Sequence, residues 1–131
     1  MTRVPPFAIV MAATTVLGLL AGCAATPAIE PGKPLEVRAH PLPPYEVHEE
    51  CASLRPGDRL HYRFEATAPL AFNIHFHEGR AVVMPVTRDR ATADEGTFVP
   101  LAARDYCLMW EAGAEGTTID YAVRLTRGTE R

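Results

Sequence analysis

The stretch "LAFNIHFHEGRAVVMPV", Leu70 to Val86, decides the fold. Leu70, Phe72, Ile74 and Phe76 occupy every second position, with Ala71, Asn73, His75 and His77 between them, the period of a strand that buries one face. Glu78-Gly79 suits a two-residue hairpin turn, and Arg80 to Val86 reads as the returning strand. Upstream, "RPGD" (Arg55 to Asp58) is a turn before a second alternating run, in which Leu60, Tyr62 and Phe64 interleave with His61, Arg63 and Glu65. Downstream, Thr97 to Leu101, Tyr106 to Glu111 and Thr118 to Thr126 continue the pattern, the last placing Ile119, Tyr121, Val123 and Leu125 on one face. With an opening strand near Glu46 to Ala52, this makes about seven strands without a useful helical period, which predicts an all-β, antiparallel β-sandwich of jelly-roll or immunoglobulin-like type.

Composition bounds the rest. The chain has 131 residues, a net charge of -3 and 47% hydrophobic content, enough for one domain. Its basic residues are dispersed and outnumbered by acids, so nucleic acid is not an expected partner. Before the strands come two segments of different character. Arg3 precedes Phe7 to Leu20, an uncharged, largely apolar run of signal-peptide length that is too short to span a bilayer comfortably. Between Ala24 and Pro44 lie Pro27, Pro31, Pro34, Pro41, Pro43 and Pro44, which favour extended chain, with a short strand conceivable at Leu35 to Arg38. The expected organisation is therefore a signal peptide over 1–22, a proline-rich tether over 23–44 and a β-sandwich over 45–131. At roughly 3.1 Å per extended residue the tether would reach about 60 Å.

"LAGC", Leu20 to Cys23, at the end of the apolar run resembles the lipobox of bacterial lipoproteins. That resemblance implies cleavage before Cys23 and lipidation of its thiol, with multiple acyl chains giving firm membrane attachment. Ala24 stands where an aspartate would signal inner-membrane retention in the enterobacterial pattern. The implied location is the periplasmic side of the outer membrane. With Cys23 assigned to lipid, Cys51 and Cys107 remain as an even pair in an oxidising compartment, where a structural disulfide is the expected use. The alternative, a free redox or metal-binding thiol pair, lacks C-x-x-C spacing. Because Tyr106, Leu108 and Trp110 alternate with Cys107 and Met109, their strand is apolar on both faces, and the segment carrying Cys51 is expected to cover one side.

The pattern C-x-x-L-x-P-G-x-x-L-x-Y-x-F from Cys51 to Phe64, with "GTF" at Gly96 to Phe98 and "DYC" at Asp105 to Cys107, resembles the GOLD domain, a disulfide-linked β-sandwich of eukaryotic secretory cargo receptors. The likeness spans most of Glu46 to Leu125. It implies a non-catalytic binding or interaction module and carries over no particular ligand-binding residue. In a bacterial envelope its partner would be another envelope protein.

The residues offer little to an enzyme. Ser53, the only serine, has no nucleophile elbow around it, and no phosphate-cradling glycine loop is present. Glu49 and Glu50 point to opposite faces of a strand and cannot cooperate as neighbouring carboxylates. No catalytic residues or cofactor are expected. The competing idea is copper. His75 and His77 share a face at a Cα spacing of roughly 6–7 Å, and a two-residue turn at Glu78-Gly79 would set His77 opposite Arg80, His75 opposite Val82 and Asn73 opposite Met84. Met84 and His61 could then complete a His/Met set that suits copper better than zinc. Arg80 opposes that reading by charge. The favoured expectation is a pair of solvent-facing histidines without tightly bound metal.

Overall fold

The computed structural model describes residues 29–129. Six strands run in chain order: β1 (Leu35–Leu42), β2 (Val47–Leu54), β3 (Arg59–Glu78), β4 (Ala81–Phe98), β5 (Arg104–Ala112) and β6 (Thr117–Thr126). All pairings between these strands are antiparallel, in the order β1-β6-β3-β5-β2, with β4 along the other edge of β3. The sheet curls on itself into a sandwich-like core, and among the described residues there is no helix.

The long β3–β4 hairpin makes the curl. β3 pairs with β6 through Arg59 to Ala66 and with β5 through Leu70 to His75, so one strand serves both halves. At the changeover Pro69 has no N–H to donate. Threonine hydroxyls take over: the Ala68 N–H donates to Thr117 Oγ1 and the Thr118 N–H to Thr67 Oγ1, each at 3.0 Å. The two expected runs around Leu60 and Leu70 are thus one bent strand. Likewise Ala81 to Val86 and Thr97-Phe98 belong to the single strand β4, whereas Arg80 lies in the turn before it and Val99 to Leu101 lie beyond it.

Because the halves face each other, alternation translates into burial. Phe64 and Phe72, from the two halves of β3, approach to 4.9 Å between ring centroids, and Trp110 of β5 meets Tyr121 of β6 at 4.7 Å. Leu60, Ile74, Leu108, Trp110 and Ile119 are wholly buried. Fully burying an aliphatic or phenyl side chain contributes about 1.5–3 kcal/mol, so this shared interior is the main source of cohesion.

Two expectations need correction. The proline-rich segment is not a tether as far as Pro44. Ile29 is buried, and Leu35–Leu42 pairs with β6 because Leu35 and Val37 present apolar side chains to the core. A bulge between Val37 and His40, with Ala39 at φ 51°, shifts the parity so that His40 and Leu42 turn inward. Asp120 secures it by accepting from the Ala39 N–H at 2.7 Å and from Arg38 at 3.2 Å. The second correction concerns β2, which does not cover β5 but lies beside it, pairing from Val47↔Glu111 to Leu54↔Arg104.

Candidate functional site

The hairpin tip settles the histidine geometry. Glu78 pairs with Ala81, so the turn is Gly79-Arg80, with Gly79 at φ 62°. His77 therefore faces Val82 rather than Arg80. Between Ile74↔Val86 and Phe76↔Val83 the register shifts, leaving Met84 and Pro85 as the irregularity opposite His75. Proline cannot complete that ladder, which accounts for the slip.

His75 is not solvent-facing, contrary to expectation: it is 4% exposed, and Asn73 beside it is 5% exposed. The His75 Nδ1–H donates to Asn73 Oδ1 at 2.8 Å, and its Nε2 lies 3.6 Å from Glu49 Oε1. His77 is exposed, with its ring 5.3 Å from that of His75. The four residues of the copper alternative do not converge. His61 sits near the opposite end of β3, beyond the bend, where Nδ1 pairs with Thr97 Oγ1 at 2.9 Å, and Met84 is exposed. His75 and His77 remain neighbours, and of the other two only Met84 lies at their end of the hairpin.

Cys51 and Cys107 form a disulfide between directly paired residues of β2 and β5. It lies on the outer face, with Cys51 exposed and Cys107 half-buried. In the adjacent register His75 pairs with Cys107, which brings the imidazole beside the bridge. Ser53 donates to Asp105 one alternate position further along the same two strands.

The opposite faces of Glu49 and Glu50 are as alternation requires: Glu49 is exposed and Glu50 is 4% exposed inside the sandwich. What sequence reasoning missed is the company Glu50 keeps. Tyr121 Oη donates to Glu50 Oε1 at 2.6 Å, and His48 Nε2 lies 2.7 Å from the same hydroxyl. Since Tyr121 gives its only hydrogen to Glu50, His48 must donate, giving a chain from His48 through Tyr121 to Glu50. Burial and the Glu50 carboxylate push the Tyr121 phenol well above its ordinary value, so it stays protonated. Burial lowers the pKa of His48, assisted by His40 and opposed by Glu50. His40 closes the flank, its ring 4.2 Å from that of His48. The signal that could have found this group was the pairing of polar residues with core parity, His48 and Glu50 on β2 against Tyr121 on β6.

On the outer face of the first half, a cavity of about 480 Å³ is bordered by Glu36, Arg38, Arg63, Asp94 and Asp120. A neighbouring cavity of about 500 Å³ shares Arg63, Glu95 and Ala122 with it and extends to His61 and Arg124. Together they form a groove of mixed charge.

No family model matches the chain, and no match is found among curated proteins.

Proposed function

We propose that this protein is a lipoprotein of the bacterial envelope, attached through Cys23 at the periplasmic side of the outer membrane, with its β-sandwich serving as a non-catalytic binding module. The observation that carries the reading is the division of the three cysteines. Cys51 and Cys107 are joined within the fold, a use that belongs to exported proteins, and Cys23 stands apart in the lipobox-like "LAGC", which lies outside the described residues. The GOLD-like pattern adds support through the same pair, since its two cysteines occupy facing positions. The mixed-charge groove offers polar contacts to another envelope protein. Copper carriage by His75, His77, Met84 and His61 is not adopted, because His61 lies past the bend of β3 from the other three.

Replacing Cys23 by Ala tests the reading. The expected result is loss of fatty-acid labelling and of membrane retention in fractionated cells. A Cys23→Ala protein that still labels and sediments with the outer membrane refutes it.

A further inference from the structure

The outer face of β2, β5 and β3 collects donor atoms that the binding-module reading leaves unused. A carboxylate oxygen of Glu49 and the sulfurs of Cys51 and Cys107 all lie within 4.8 Å of one another. His75 lies outside that group of three but pairs with Cys107 across β3 and β5. Its buried ring is oriented by Asn73, whose amide oxygen takes the Nδ1–H, and its Nε2 lies 3.6 Å from Glu49 Oε1. A ligating histidine whose other nitrogen is fixed by a hydrogen bond is the usual state of a metal site.

We propose that Glu49, Cys51, His75 and Cys107 form a redox-gated zinc site, closed while the disulfide is intact and opened by a dithiol reductant. One thiolate of the reductant attacks a sulfur of the bridge, giving a mixed disulfide, and its second thiol resolves this. Two electrons and two protons thereby pass to Cys51 and Cys107 as the dithiol becomes a disulfide. Zn²⁺ then displaces both thiol protons to solvent, gaining two thiolates, an imidazole and a carboxylate, a tetrahedral set of ordinary composition for this ion. Exposure of Cys51 gives the reductant access. Opening the bridge leaves the strands that carry these residues in register, because they are held by eight residue pairs of the β2–β5 ladder and by the β3–β5 ladder. The zinc set shares only His75 with the copper alternative that includes Met84 and His61.

The test uses the full-length chain carrying Cys23→Ala, so that only two thiols are present. The protein is reduced with dithiothreitol, desalted anaerobically and titrated with Zn²⁺ by calorimetry, in parallel with the oxidised form. One zinc per chain should bind the reduced form at least about a hundredfold tighter than the oxidised form, and Co²⁺ in its place should show sulfur-to-metal charge-transfer absorption. Glu49→Gln, at an exposed position, should retain the circular dichroism of the parent and weaken zinc binding about tenfold, as should His75→Ala. Equal affinity in the two redox states overturns the proposal. So does unfolding on reduction, or a folded Glu49→Gln protein with undiminished affinity.

Discussion

Replacing Tyr121 by Phe removes one oxygen and tests whether the buried carboxylate depends on it. Glu50 is 4% exposed, its closest donor is the Tyr121 hydroxyl at 2.6 Å, and His48 Nε2 stands off at 3.4 Å. A hydrogen bond to a charged group contributes about 1.5–3 kcal/mol, and a buried acceptor left without its donor bears the full cost of desolvation. The expected loss is about 2 kcal/mol, or roughly 10 °C of thermal midpoint for a domain near 100 residues. Chemical denaturation followed by circular dichroism, with scanning calorimetry, measures both. The double variant Glu50→Leu/Tyr121→Phe should recover part of the loss, because it removes the stranded charge with its donor, while His48 is still able to reach water through its 18% exposed side chain. A change below about 0.5 kcal/mol for Tyr121→Phe, or a double variant weaker than the sum of the two single ones, refutes the reasoning.

The disulfide and His48 give further outcomes. Native protein carrying Cys23→Ala should show no titratable thiol on alkylation and mass analysis. Its reduction should lower the thermal midpoint by about 15–20 °C, following a chain-entropy contribution of about 4 kcal/mol for so long a loop, with the fold retained at room temperature. The folded pKa of His48 lies below the unfolded value of 6.5, so its neutral form is favoured by folding. Its contribution to stability is complete above that unfolded value and is lost as pH falls from 6.5 towards the folded pKa. Denaturation midpoints measured from pH 8 to pH 5 should fall across the acid part of that range, and His48→Gln should flatten the fall.

How much could be read in advance depended on whether a local period survived tertiary constraints. Leu60, Tyr62 and Phe64, then Leu70, Phe72 and Ile74, show their burial directly in the chain, because every second side chain enters the same interior. The join between them did not show, since alternation cannot say that Pro69 interrupts a ladder while threonine hydroxyls carry the strand across it. Of β1 only Leu35 to Arg38 could be read as a strand, because the bulge at Ala39 breaks parity in the middle of it and Pro41 follows. His75 was misjudged because period two assigns residues to faces without specifying how far each position on a face is covered. The Glu50 group had the right parity for the core but the wrong polarity, and only the fold brings Tyr121, 71 residues later, to its carboxylate.

The placement of β1 also changes what a lipid at Cys23 would mean. A free segment as far as Pro44 would let the sandwich work about 60 Å from its anchor. Ile29 is already buried and Gly32 donates its N–H to Leu125 at 2.8 Å, so the chain joins the fold six residues after Cys23. Fully extended chain advances at most about 3.6 Å per residue, which limits the separation between the lipidated cysteine and Ile29 to roughly 20 Å. On the lipoprotein reading the sandwich is therefore a short-leashed body beside the bilayer. Its groove and its disulfide face would meet partners that are themselves at the membrane surface, because the tether is too short to carry either across the periplasm.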